Sequence, residues 1–337
     1  MEVYVTVLAA LIGLLATFLL GYPVIPFLKK LKFGQTILDI GPNWHKSKEG
    51  TPTMGGIMMM AGFGIAMVAA FLGAIFFGGL FLRKEKELVY VLSGAGLALG
   101  MGFIGFLDDY IKVAKKRNLG LTAMQKTFLQ MALSAGYLAV LALGGMKSTW
   151  LPFVGDINIV SGWGLIFWPI MLFFVYGFVN AVNLTDGIDG LASSVTMVVC
   201  CFFMIVSARL GLGGMNALAG AAAGVCTGFL IWNLHPAKVF MGDTGSMFLG
   251  GVVVGLSFGI GRPVLLIFAG VLYLIEALSV MLQVGYYKKT KKRLFKMSPI
   301  HHHFEMSGWS EEKIVFIFSL VTIFGCALAG VIAFIYF

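Results

Sequence analysis

Ten long apolar runs, separated by polar loops, decide what this chain can fold into. They lie at roughly 3–28, 54–82, 88–107, 126–146, 163–182, 191–209, 214–233, 244–261, 263–287 and 313–336, each near the ~20 apolar residues that carry a helix across a bilayer. In hydrocarbon every backbone N–H and C=O must bond within its own segment or a closed barrel, and runs of this length do so as helices. A soluble core of 337 residues would not hide ten such runs. Only 12% of the residues are charged, against about 25% in a soluble domain. The 45 glycines suit helices that approach closely in lipid. The expected fold is an all-α integral membrane protein of about ten transmembrane helices, one polytopic domain over residues 1–337.

Charge sets the orientation. The loops after the first, third, fifth, seventh and ninth runs hold about three quarters of the 24 lysines and arginines, and loops rich in these residues stay in the cytoplasm. With ten spans, both termini then lie outside. The start of the chain agrees. Met1-Glu2-Val3-Tyr4 precedes the first run and Lys29, Lys30 and Lys32 follow it, the reverse of a cleaved signal. His45, His235, His301, His302 and His303 fall in the same odd loops, although the charge rule makes no use of them. The net charge of +9 therefore describes a basic inner face, suited to anionic lipid and to phosphorylated ligands. Without a soluble binding module, nucleic acid is not an expected partner. Cys200, Cys201, Cys226 and Cys326 sit within runs, lack metal-site spacing and read as small core residues.

The acidic motifs gather on that inner side. Asp108-Asp109 closes the third run, with Lys112 one helical turn on. That spacing fits i,i+4 ion pairs at a helix end, but an unpaired Asp pair at the hydrocarbon boundary is costly and points to a site. Asn183-Leu-Thr-Asp186-Gly-Ile-Asp189-Gly190 brings two carboxylates three residues apart, with glycines that permit tight turns and close approach to a ligand. Asp243 lies in Phe240-Met-Gly-Asp-Thr-Gly-Ser246, where Thr244 and Ser246 suit helix caps. Mg²⁺ takes one or two carboxylates plus waters and phosphates, so Asp243 with Asp108 or Asp109 fits that ion. Thr53 suits either a cap for the second run or a phosphate at a helix N-terminus. His301-His302-His303 lacks zinc-helix spacing and suits phosphate binding or proton transfer. Glu276 and Gln283 lie within the ninth run. An ionisable group there is functional by default, with no partner evident for Glu276, while Gln283 sits near the inner end where it could face a ligand. On the other side, Trp150–Val160 holds a Gly155-Asp156 turn between β-prone residues, the pattern of a small hairpin.

Five stretches together resemble the phospho-N-acetylmuramoyl-pentapeptide transferase family, within the polyprenyl-phosphate N-acetylhexosamine-1-phosphate transferase superfamily. They are Gly50-Thr-Pro-Thr-Met-Gly-Gly56, Gly105-Phe-Leu-Asp-Asp-Tyr110, Asn180-Ala-Val-Asn-Leu-Thr-Asp-Gly-Ile-Asp-Gly-Leu191, Phe240-Met-Gly-Asp-Thr-Gly-Ser246 and Pro299-Ile-His-His-His-Phe-Glu305. The resemblance implies transfer of phospho-N-acetylmuramoyl-pentapeptide from UDP to undecaprenyl phosphate in a bacterial plasma membrane, giving lipid I and UMP with Mg²⁺. It implies that Asp243 holds the metal with Asp108 and Asp109 close by. Asn183, Asp186, Asp189 and Phe240 would shape the nucleotide pocket, with Asn180 and Gln283 as further substrate contacts. Lys48, Thr53, Lys112, Lys116 and Lys126 would meet phosphates or substrate polar groups, and the three histidines would line the same cleft. It also implies a homodimer. Two other readings compete: a sister transferase using UDP-N-acetylglucosamine, and a secondary transporter. The second is disfavoured because transporters place ionisable residues near the midplane, and here only Glu276 is deep.

Overall fold

A computed structural model describes residues 2–30, 50–78, 82, 84–115 and 119–335. These residues contain twelve α-helices, a short 3-10 helix at Gly162–Ile166 and one hairpin: α1 Glu2–Lys30, α2 Gly56–Phe77, α3 Glu85–Ala114, α4 Ala123–Leu143, β1 Ser148–Leu151, β2 Gly155–Asn158, α5 Phe167–Thr185, α6 Leu191–Arg209, α7 Gly213–Asn233, α8 Gly242–Gly259, α9 Leu265–Ala269, α10 Val271–Thr290, α11 Ile300–Glu305 and α12 Glu311–Ile335. Among the described residues, eight helices are long and apolar enough to cross a membrane: α1 to α7 and α12. The chain is thus an all-α protein of multi-pass membrane type.

The eight helices match eight of the ten expected runs; the eighth run falls on the 18-residue α8, and the ninth is divided. It is broken at Gly270 into the five-residue α9 and the longer α10. The break is local: Gly270 lies against the Leu266 carbonyl and the Tyr273 ring, and α12 approaches closely enough that Gly325 abuts the Phe268 carbonyl. Apolar composition continues through the break, so hydropathy alone does not reveal it.

The bundle is organised around α8, which is buried along its whole length from Thr244 to Gly259. A helix apolar on every face belongs in a core. α8 contacts α3 most extensively. Gly94 on α3 meets Gly255 on α8, and Ala98 meets Gly251, so the two backbones approach through small residues. The same device joins α1 to α7, where Gly224 lies on Ala10. Phe63, Phe248, Phe258 and Tyr273 fill the spaces around this centre. The cysteines are free, and all but Cys201 are buried.

Hydrogen bonds identify the two ends of the bundle. At one end Gly55 N donates to Phe240 O, Leu121 N to Asp108, Asn183 to Asp243 and Asp189 N to Glu311, which joins the loops after α1, α3, α5, α7 and α11. At the other, Lys84 Nζ meets Gly211 O, Gly214 N donates to Glu87, and Trp150 N donates to Gly261 O. The hairpin lies at this second end, with Trp150 paired to Asp156 and Arg262 stacked 4.7 Å over the Trp150 ring.

Candidate active site

Three carboxylates converge where α3 ends and α8 begins. Asp108 and Asp109 occupy the last two turns of α3, and Asp243 the first turn of α8. Two glycines allow this approach. A Cβ on Gly105 would collide with the Asp243 carbonyl. Gly242 adopts φ 68°, and a Cβ there would stand 2.6 Å from Asp109 Oδ2 and 2.8 Å from Thr53 Oγ1. One oxygen from each of Asp108, Asp109 and Asp243 lies within 4.8 Å of the others.

Such a cluster repels itself unless cations enter it. Two unit charges 4 Å apart cost about 4 kcal/mol at an effective dielectric of ~20. The Lys112 ammonium sits among all three, 2.6 Å from Asp108 Oδ2, 3.6 Å from Asp109 Oδ1 and 3.0 Å from Asp243 Oδ2. Lys126, in the first turn of α4, adds a contact of 2.9 Å to Asp243 Oδ2. α4 is set here by a capping box of Thr122 and Gln125, which fixes the entry of the turn that carries Lys126. Three carboxylates against two ammonium groups leave the cluster anionic. Hard oxygen donors with residual negative charge suit a divalent cation such as Mg²⁺.

Neutral donors hold the carboxylates in place. Thr244 gives both its backbone N–H (2.9 Å) and its hydroxyl (2.7 Å) to Asp109 Oδ2. Leu121 N–H donates to Asp108 Oδ1 at 2.8 Å. Asn183, in the last turn of α5, donates to Asp243 Oδ1 at 2.9 Å and to Ser246 Oγ at 2.8 Å. Thr244 and Ser246 therefore do not cap α8. Its N-cap is Met241 without a side-chain bond, and Ser246 Oγ donates inward to Gly242 O.

Around this centre the expected residues divide. Thr53 is not a cap either, because α2 starts from Gly55 without side-chain capping. Its loop is instead bonded to the strip before α8, through Phe240 N to Pro52 O and Gly56 N to Met241 O, which sets Thr53 and Phe240 at the rim of the carboxylate cluster. Asp186 caps the C-terminus of α5. Burial pushes its carboxyl well above the usual carboxylate range, and the charges of Asp243, Asp109 and Asp189 act in the same direction. Lys48 and Lys116 lie outside the described residues.

Four further expectations fall on side chains that have partners within the protein. Asp189 is tied to the loop after α7: a buried carboxylate needs donors, and its Oδ2 takes them from His235 Nδ1 and Ala237 N, each at 3.0 Å. Asn180 braces α5 against α4, donating to Gln130 Oε1 at 3.0 Å, with its second N–H on Tyr176 O. Gln283 clamps its own loop: Oε1 accepts from Leu294 N and Phe295 N, and Nε2 donates to Phe295 O. The three histidines take different partners, because successive residues on a helix point about 100° apart. His301 is fully buried beside Glu276, His302 bonds Glu305, and His303 accepts from Lys296 N.

Sequence reasoning missed His235 and Glu311 as partners of Asp189, which form a second group within 4.8 Å. Neither carries a local signal, since the three come from separate loops.

A family model described as glycosyl transferase family 4 matches residues 89–261, which holds all three clustered carboxylates. A phospho-N-acetylmuramoyl-pentapeptide-transferase of Clostridioides difficile (strain 630) is 47% identical over 315 residues, covering 93% of each chain. Proteins with the same name from Caldicellulosiruptor bescii and Desulforamulus reducens are 45% and 44% identical, and each alignment covers 96% of this chain.

Proposed function

Because the chain belongs to the phospho-N-acetylmuramoyl-pentapeptide transferase family, we propose that its carboxylate cluster transfers phospho-N-acetylmuramoyl-pentapeptide from UDP to undecaprenyl phosphate. The products are lipid I and UMP. The observation that carries the assignment of the site is the meeting of Asp108, Asp109 and Asp243 with Lys112 and Lys126 at one end of an apolar bundle. A water-soluble nucleotide sugar and a membrane-bound phosphate can meet only at such a boundary.

In the reaction an oxygen of the lipid phosphate attacks the β-phosphorus of the donor. The bond from that phosphorus to the bridging oxygen breaks, and its electron pair leaves with UMP. Phosphoryl transfer is governed by positioning and charge neutralisation. Lys112 and Lys126 supply fixed positive charge, and both are held by Asp243. Asp243, Asp108 and Asp109 would hold Mg²⁺, which when bound neutralises phosphate charge and orients the two reactants. Thr244, Leu121 and Asn183 keep these carboxylates from rotating away. Thr53 and Phe240 line the approach, with Lys48 and Lys116 as further phosphate contacts. Asp186 faces the donor. A phosphate monoester has a second pKa of about 6, so the acceptor is already largely ionised at pH 7. Attack is therefore direct, with no aspartyl-phosphate on Asp108 or Asp109.

The remaining placement follows the charge reading: ten spans in a bacterial plasma membrane, both termini outside, the site on the cytoplasmic face, and a homodimer as the working unit. Purified protein given both substrates and Mg²⁺ should release UMP. Release only when UDP-N-acetylglucosamine replaces the muramoyl donor would assign the sister reaction instead. Solute flux without product would indicate a transporter.

A further inference from the structure

Glu276 lies in α10 with no exposed surface, and its Oε1 is 3.1 Å from Nδ1 of His301 on α11, which is also fully buried. Neither carboxylate oxygen of Glu276 nor either ring nitrogen of His301 has a hydrogen bond among the described residues. A buried ionisable group within a span is expensive and is kept for function. Its function here is not contact with a substrate, because neither side chain reaches the surface.

The opposite edge of the imidazole shows what the pair acts on. His301 Nε2 abuts Gly187, where an added Cβ would collide with the ring. Gly187 belongs to the turn from Asp186 to Gly190 that joins α5 to α6. The far side of that turn is tied down, with Asp189 N on Glu311 Oε2 at 3.0 Å and Gly190 N on Asn233 Oδ1 at 3.1 Å. The near side carries Asp186 and, one helical turn back, Asn183, which holds Asp243 Oδ1. His301 is therefore the wall against which the near side rests.

We propose that Glu276 is a positioning residue for the donor site, acting through His301. The carboxylate anchors the Nδ1 edge of the ring, so the Nε2 edge stays against Gly187 and fixes Asp186 and Asn183 relative to Asp243. The inference rests on the reading of this turn as part of the donor pocket. A glutamine can present the same oxygen to Nδ1. A leucine of similar volume cannot, and a mere space-filling role would not distinguish the two.

The test compares Glu276→Leu with Glu276→Gln in the full-length protein. In the leucine variant the KM for the nucleotide donor should rise between about tenfold and 100-fold, the loss that a misplacement of ~1 Å can cause. The KM for undecaprenyl phosphate should be unchanged. Glu276→Gln should stay within about twofold of wild type, since positioning survives where the acceptor survives. Hydrogen exchange over residues 183–191, measured without any substrate, should quicken in the leucine variant and not in the glutamine variant. That arm separates the two readings: a wild-type protein that makes no UMP but shows this exchange pattern would retain the Glu276 linkage and lose the transferase. Equal behaviour of leucine and glutamine, in donor KM and in exchange, would overturn the inference. If the leucine variant does not fold, Gly187→Ala presses the same contact from the other side. A donor KM at the wild-type value there would overturn it equally.

Discussion

The ammonium of Lys112, on the helix that ends with Asp108, reaches across to Asp243 at the start of α8, 3.0 Å away and 131 residues further along the chain. This bond makes two helix ends into one site. It also means that the cluster carries its own cation, within 3.6 Å of each of its three carboxylates.

Removing that cation should uncouple the site. Lys112→Met leaves Asp108, Asp109 and Asp243 with Lys126 as the one remaining ammonium among the described contacts. Loss of one fixed charge that stabilises a transferring phosphoryl group should cost about 100-fold or more in kcat. Steady-state UMP release checks this, and a loss below tenfold would contradict it.

Thr244 supplies two bonds to one oxygen of Asp109. Thr244→Val removes the hydroxyl donor and keeps the shape, so it should destabilise by about 1.5–3 kcal/mol, the range for a hydrogen bond to a charged group. Thr244→Ser keeps both donors and should lose much less. Thermal unfolding in detergent, read beside activity, decides between them. Equal losses in the two variants would remove the hydroxyl from the account.

Close approach of α3 to α8 depends on Gly105. A methyl group there meets the Asp243 backbone, whereas one on Gly96 of the same helix meets nothing within 4 Å. Gly105→Ala should therefore cost about 1–3 kcal/mol by overpacking, with activity lost as the carboxylates separate. Gly96→Ala should be neutral in both respects.

The raised Asp186 carboxyl predicts a pH dependence. A free aspartate titrates near 3.9, and burial holds Asp186 well above that in the folded protein. Folding thus favours its neutral form. This contribution is fully present below about pH 3.9 and is lost as pH rises through the folded value. Asp186→Asn, neutral throughout, should gain stability over wild type as pH increases to 8, while donor binding weakens. Melting temperatures measured against pH would contradict this if the difference narrowed as pH rises.

Much of this architecture was legible because membrane helices announce themselves by length and composition. The convergence of the acidic motifs was legible as well, since alternate loops fall at one end of a bundle. Side-chain direction was not. Asp186 and Asp189 are three residues apart and look equivalent in sequence, yet one closes the end of α5 and the other bonds His235. The amide of Gln283 bonds Phe295 and that of Asn180 bonds Gln130, partners that spacing along the chain does not show. The break at Gly270 leaves no mark in hydropathy because apolar residues flank it on both sides.

The most direct test asks whether the three carboxylates form one metal-dependent transfer site. UMP release by wild type, Asp108→Asn, Asp109→Asn and Asp243→Asn should be measured as Mg²⁺ is titrated. Release should depend on Mg²⁺ in wild type and be nearly abolished in Asp243→Asn. Asp108→Asn and Asp109→Asn should require more metal or lose turnover. Wild-type release that persists under chelation, or an Asp243→Asn protein that turns over normally, would contradict it.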